Sequence, residues 1–574
     1  MEYVLTAVVL LSALVQGGFF PSMYLAAGIF LAVVCAFQKQ RKPVLAEILL
    51  WAFAIWYPIA SLLNGYDSAS MAQACLPAAG VCFLRCYLNL STEQRQRMIT
   101  AITLGSVGLS VIGIMAFCGL LEIRGAVTSH RLQFPFQYAN AAGSWYAATA
   151  LLLADDEKRK SVIIPILTAL FLTKSVGAVG LYILCSGIRL YRKSKIHALS
   201  WEDEVVIYGS ALLFTFGFDI AHGYSAAIPM ILLFLTHWRM CGIIALLKRF
   251  RLYWTFLLCG IVWIGWNLFS RRMDSALRTF AERMIQIHDG SMAIIRFPLI
   301  GLGAGNWQYL YGKFQTAQYA SAVIHSGIIQ TGVDAGAIAL LLGMAVALSL
   351  WRDTKSYAPL AAFLLIIHSA ADFTMKFFPI TALTLILLFS STVTEAPKHD
   401  KLLFRGLFLT LAIFFAVTFG TEQVTKRLNQ AAQMGDWPLV IGEYEQAEPF
   451  LGRNRSAKTP YLSALYHTGQ FASVIEKTQD AESLSEQETV LRARSLWETG
   501  KADEASALLL DTLAERKHRV VLFEEISQLL LSWDAPSDVI EAYNSIVHDA
   551  NAQRSALAIL KGDQIDINTL EKEK

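Results

Sequence analysis

His325, Arg283 and Asp372 are the side chains best suited to chemistry in this chain. A histidine takes a proton from a hydroxyl near neutral pH. An arginine stays charged and forks onto phosphate oxygens. A carboxylate orients such a histidine or assists it. Together these types suit transfer of a group away from a diphosphate, with cations neutralising the leaving phosphates and a base activating the incoming hydroxyl. Arg131, Asn140, Lys174 and Arg296 are further candidates for holding the substrate. No acids near these residues are spaced like a divalent-cation site, so neither a metal nor a cofactor is expected.

Three of these residues lie in 271–336, a polar stretch between apolar runs. It carries Arg283, then Pro298-Leu299-Ile300-Gly301-Leu302-Gly303-Ala304-Gly305-Asn306-Trp307, then Ile324-His325-Ser326, Gln330, Asp334 and Gly336. Gly332 and Gly336 follow His325 on one helical face, where small residues let a neighbouring helix approach. His325 is therefore expected at a helix mouth, over a close contact. The glycine turn lacks a preceding strand and a P-loop lysine, so it reads as a tight re-entrant or surface turn. Each candidate also has a plainer reading. His325 can bond a carbonyl, and Arg283, in an interfacial helix from Leu277 to Ile287, can snorkel to headgroups. Arg131 can anchor at the interface, Asp372 can pair with Lys376, and Lys174 and Arg296 can face water or headgroups.

The elements that must position these residues follow from composition. The chain has 574 residues, 55% hydrophobic and 16% charged, with a mean hydropathy of +0.46, which is the profile of a membrane protein. About fifteen apolar spans can be drawn over residues 1–420, with the short pairs at 161–190 and 357–393 counting as one or two each. The start at Met1 lacks a basic n-region and reads as an uncleaved first span. A net charge of +3 excludes nucleic acid as an expected partner. The cysteines fall in or beside apolar spans without metal-ligand spacing, which argues against a disulfide framework or zinc site.

Basic residues concentrate in one set of alternate loops, as at Lys39/Arg41/Lys42, Arg85/Arg95/Arg97 and Arg189/Arg192/Lys193/Lys195. The positive-inside rule then puts the N-terminus in the cytoplasm and a large loop at 271–323 outside. Arg131, the Thr173-Lys174-Ser175 turn, Arg283, His325 and Asp372 fall on that outer side. Ionisable residues gathered at one membrane face point to an outward-facing site.

Residues 421–574 are charged and soluble in character and follow the last span to the outside. Gly435, Gly469, Gly500 and Asp534 punctuate paired amphipathic helices at close to the 34-residue tetratricopeptide period. Such repeats bind a protein or peptide on a concave face; the alternative is a rigid helical cap. The expected fold class is all-α, a polytopic membrane domain (1–420) followed by a soluble helical repeat domain (421–574).

Four blocks in order, across residues 120–390, resemble the bacterial O-antigen ligase and polymerase family. They are Arg131 to Asn140; Arg283 with Asp289 and Pro298 onward; His325, Ser326, Gln330, Asp334 and Gly336; and His368, Ser369, Asp372 and Phe373. The resemblance implies an inner-membrane, metal-independent, inverting glycosyltransferase. Its donor would be an undecaprenyl-diphosphate-linked glycan, and its acceptor a glycan, lipid or protein. A basic outer pocket would hold the diphosphate and the histidine would activate the acceptor. The family also contains O-unit polymerases and protein O-oligosaccharyltransferases. Outside it, the alternatives are a transporter or an envelope scaffold. The chain departs from the family's Thr-x-Ser-Arg-Gly at Thr173-Lys174-Ser175-Val176-Gly177, where the arginine is absent. Lys174, Arg296 or both are the expected replacement for its charge, Arg296 being favoured because its guanidinium forks onto phosphate.

Overall fold

The structure, a computed structural model, describes residues 1–154, 162–195, 201–238, 258, 262, 265, 273–350, 358–392, 402–479, 484–552 and 567–570. The span expected at 252–270 lies almost wholly outside the described residues, as do Lys158, Arg159, Lys160, Arg239, Lys248, Arg249, Arg251, Arg271, Arg272, Arg352, Lys355, Lys398 and Lys401. Among the described residues the regular structure is helical apart from one two-residue ladder, Val127–Thr128 with Arg131–Leu132. Among the described residues five helices are long and apolar enough to cross a membrane: Leu45–Leu63, Ser68–Leu88, Thr92–Phe117, Gly327–Ser349 and Leu402–Gln433. The doubtful pairs resolve into separate helices, Ile163–Leu172 with Val176–Lys195 and Ala358–Ala370 with Phe378–Leu388.

Contacts divide the chain into two compact units. The first takes Met1–Trp51, Leu76–Met273 and Gly343–Phe415; the second takes Ala52–Cys75, Asp274–Leu342 and Ala416–Lys574. The first is built around helix Ala139–Leu153, whose run of small residues (Ala141, Ala142, Gly143, Ser144, Ala147, Ala148) is buried on every side. Small side chains let neighbours close in. A Cβ on Gly143 would lie 3.0 Å from Thr173, Ser175 and Ala178. Some basic residues read as loop charges are structural here. Glu47 pairs with Arg41 at 2.6 Å and Arg85 at 2.8 Å, all three buried, and Arg189 pairs with buried Glu204. Removing one member of such a buried set strands the other's charge. Cys35 and Cys86, far apart in sequence, bring their sulfurs within 3.3 Å.

Helix Leu402–Gln433, which belongs to the second unit from Ala416 onward, runs through residue 420 without a break, so the helix expected to end there continues for about another three turns. Then come helices Trp437–Leu451, Arg455–His467, Phe471–Lys477, Glu486–Glu498, Ala502–Glu515, Val520–Ser532 and Ser537–Ala552. The expected turn residues Gly435, Gly469, Gly500 and Asp534 all have positive φ, the left-handed geometry that ends a helix. Rings flank these turns in stacked pairs, Trp437 on His467 and Trp497 on Trp533. Two apolar cores fill the helix pairs, one around Tyr444, Tyr461 and Leu465, the other around Leu509, Phe523 and Tyr543.

Candidate functional site

The candidate residues fall into two clusters, one in each unit. In the first unit, the buried helix Ala139–Leu153 presents Asn140 from its first turn, with Tyr138 as the residue that caps it. Asn140 donates to Asp372 Oδ2 at 2.7 Å, and the Tyr138 hydroxyl donates to both Asp372 oxygens at 2.9 Å. The Phe373 N–H adds a third donor at 2.8 Å. Arg131, on the two-residue ladder, donates to Asn140 Oδ1 and to the Thr173 carbonyl, each at 2.9 Å. Ser175 closes the ring by donating to Asn140 Oδ1 at 3.0 Å. The structure thus brings Arg131, Asn140, Asp372 and the 173–175 turn together. Tyr138 stacks on Phe373 with centroids 4.8 Å apart.

Lys174 takes a different direction. Its ammonium pairs with Asp219 at 2.7 Å, both side chains mostly buried. Sequence reading had no signal for Asp219, which sits on another helix. Lys174 therefore carries less net charge toward a diphosphate than its sequence position suggests, and Val176 beside it is 58% exposed.

The second cluster is organised by a glycine turn against a broken helix. Helix Gly327–Ser349 is interrupted at Gly336, whose φ of 72° and ψ of −173° are open to glycine and costly for other residues. The break frees main-chain groups for tertiary bonds. Leu302 N–H donates to the Val333 carbonyl at 2.7 Å, Ala337 N–H to Pro298 O at 2.8 Å, and Trp56 Nε1 to the Ala335 carbonyl at 2.8 Å. A Cβ on Gly336 would sit 2.1 Å from Leu299 O. The turn is buried from Gly301 to Gly305, which corrects the surface-turn alternative. Gly336 was expected to offer a smooth helical face; instead it receives the turn. Gly332 does meet a helix, lying against Ile294.

That helix, Met273–Arg296, replaces much of the expected loop and encloses the shorter 277–287 segment. It carries half-buried Arg283, and one turn on, buried Gln286. Gln286 Oε1 accepts the His325 N–H at 3.0 Å while its Nε2 donates to Glu282 at 3.3 Å. Next to His325, the Ile324 N–H donates to Gln330 at 2.7 Å; Gln330 in turn donates to Asp334 at 2.8 Å, which accepts the Gly305 N–H at 3.2 Å. Ser326 caps the helix that follows by accepting from Ile329 N–H. His325 is half-buried, two residues before that helix begins. The glycine turn and the histidine are thus linked through Asp334 and Gln330. Gln286 gave no sequence signal beyond lying three residues after Arg283.

Asp289 is wholly buried and ties down the loop between these helices, accepting from Thr316 N–H and Oγ1 and from the Tyr319 hydroxyl at 3.0 Å. Burial and then the Asp289 charge push the Tyr319 hydroxyl well above its ordinary range, so it stays a donor. Tyr319 stacks on Tyr311, whose hydroxyl accepts from Arg519 at 2.6 Å; Arg519 forks onto Glu486. The tail helices and this loop share one unit and are joined through the stacked Tyr319–Tyr311 rings and the Tyr311–Arg519–Glu486 hydrogen bonds. Arg296, the last residue of helix Met273–Arg296, is exposed and lies over the Phe297 ring, 5.9 Å from its centroid.

Among the described residues no three His, Cys, Asp or Glu side chains gather as metal ligands. No protein-family model matches this chain, and no curated protein matches it.

Proposed function

We propose that the chain is a membrane glycosyltransferase that moves a glycan from a polyprenyl diphosphate to an acceptor hydroxyl at the outer face of the cytoplasmic membrane. The acceptor oxygen bonds to the anomeric carbon as the bond to the diphosphate oxygen breaks, inverting the configuration. The hydroxyl proton passes to His325, and the electrons of the broken bond leave on the diphosphate. Arg283 neutralises that charge. The observation that carries this reading is the clamp on His325: Gln286, which holds its main chain, lies three residues after Arg283 on one helix face. A cation and a base served by the same face suit a diphosphate leaving group beside an activated hydroxyl. Asp372, fixed by three donors, serves the first cluster by holding Tyr138 and Asn140 in place.

The five membrane-capable helices and the order of the motif blocks support the same class. The test is reconstitution of the whole chain in lipid with an undecaprenyl-diphosphate-linked oligosaccharide and a candidate acceptor. The expected result is glycosylated acceptor with stoichiometric undecaprenyl diphosphate, absent with His325→Ala. A well-folded wild type that releases no undecaprenyl diphosphate overturns it. In a deletion strain, complete but unlinked lipid-carried chains indicate ligation, and single repeat units indicate polymerisation.

A further inference from the structure

The tail holds a cavity of about 250 Å³ bounded by Arg453, Arg455, Lys458, Tyr461 and Glu488, with the Lys477–Glu448 pair at its side. It lies where helices Trp437–Leu451 and Arg455–His467 meet at Gly452. The wall is fixed there by the Arg453 N–H, which donates to the Tyr66 carbonyl at 2.8 Å, and by the close approach of Gly452 to the same residue.

Glu488 is 1% exposed. Its Oε2 accepts from Ser485 N–H at 2.8 Å, while Oε1 has no hydrogen-bond partner among the described residues. A buried carboxylate oxygen without a donor is costly, and each such atom in a folded protein calls for an explanation. The other walls have the opposite sign. Lys477 and Glu448 neutralise each other at 2.9 Å, which leaves the cations of Arg453 and Lys458 on the wall beside the one carboxylate of Glu488. A neutral ligand would not answer that excess of positive charge, and a bare anion would not answer Glu488.

We propose that this cavity binds a single anionic sugar residue, its carboxylate or phosphate on the arginine and lysine side and a ring hydroxyl donating to Glu488 Oε1. Arginine suits the oxyanion because its donors fork onto paired oxygens. The binding chemistry is independent of transfer at His325, and the test reads binding alone.

Equilibrium binding to the full chain in detergent would compare glucose 6-phosphate and glucuronate with glucose, inorganic phosphate and glutamate. Both anionic sugars should bind at least about tenfold tighter than each of the other three, a difference of about 1.4 kcal/mol. Lys458→Met should weaken both sugars about tenfold. Glu488→Gln should weaken glucose 6-phosphate and leave inorganic phosphate unchanged. If Glu488→Gln fails to fold, Arg453→Met at an exposed position joins Lys458→Met as the second variant. Equal binding of glucose, or of phosphate or glutamate, overturns the proposal, as does an absence of saturable sugar binding to the wild type.

Discussion

Arg131 binds Asn140 and Asn140 binds Asp372, side chain to side chain, whereas around His325 the side chains of Gln286, Gln330 and Asp334 each hold a main-chain N–H as well as a neighbouring side chain or helix partner. An interlocked set of side chains depends on every member, so substitution at any of them disturbs the rest. Main-chain clamps fix where a residue stands through contacts other than those of its own side chain. The first arrangement suits positioning of one carboxylate; the second suits presentation of an imidazole. Substitutions should therefore separate the regions by what they change.

The largest separation is expected at His325. His325→Ala should lower transfer by about 10²–10⁴-fold, the contribution of a positioned general base, with Tm unchanged. Asn140→Ala should instead lower Tm together with activity, because it removes one donor to Asp372 and the acceptor that Arg131 and Ser175 share. A stable, fully active His325→Ala protein would remove the distinction and the proposed base with it.

Gly336→Ala should reverse that pattern within the second region. The residue would carry a Cβ 2.1 Å from Leu299 O, in a backbone conformation that costs about 1–3 kcal/mol outside glycine. Expression and Tm should fall, with any remaining activity scaling with folded protein. Normal Tm would mean the helix break is not needed to seat the glycine turn.

Arg131→Lys keeps the charge and removes the fork. Losing the bonds to Asn140 and the Thr173 carbonyl should destabilise by about 1–3 kcal/mol. Thermal unfolding decides between roles: an unchanged Tm with weakened donor binding would recast Arg131 as a phosphate ligand.

A smaller difference is expected between the two replacements for the absent family arginine. Lys174 is paired with Asp219, whereas Arg296 is exposed at a helix end. Arg296→Ala should weaken donor binding several-fold, since a partly screened cation contributes about 1 kcal/mol. Lys174→Ala should act mainly on stability. Equal effects of both on the Michaelis constant for the lipid donor would restore Lys174 as a phosphate contact.

How far these features were legible depends on the interaction. The left-handed turns at Gly435, Gly469, Gly500 and Asp534 were readable because ending a helix demands particular residue types. By residue type the sequence groups Asp372 with His325 and Arg283, and it could not show Asp372 bonded to Asn140, or Arg131 turned toward Asn140 and Thr173. Gly336 was misread because helical periodicity assumes an unbroken helix, and the break is set by a turn some 30 residues earlier. Asp219 and Gln286 were missed for a related reason: a lone polar residue on a helix announces no partner. Buried Arg41, Arg85 and Arg189 looked like loop charges because Glu47 and Glu204 lie elsewhere in the chain.

The smallest effect concerns acid. His518, on the tail beside the loop that Asp289 holds, has its pKa lowered, first by burial and then by Lys517, with Asp289 opposing. Its buried Nδ1 has no hydrogen-bond partner among the described residues. A folded-state value below the unfolded one means that the unfolded chain binds the proton more tightly. The stability is fully present above the ordinary histidine value near 6.5 and is lost as pH falls through the lower, folded value. Acidification from pH 7 to 5.5 should therefore raise hydrogen exchange at residues 316–325 in the wild type. His518→Gln, which cannot take up the proton, should blunt that rise. Residues 138–146 around the first cluster should be unmoved in both proteins. If exchange rises equally in the two regions, or equally with and without His518, acid acts through other groups and this contrast between the clusters does not extend to pH.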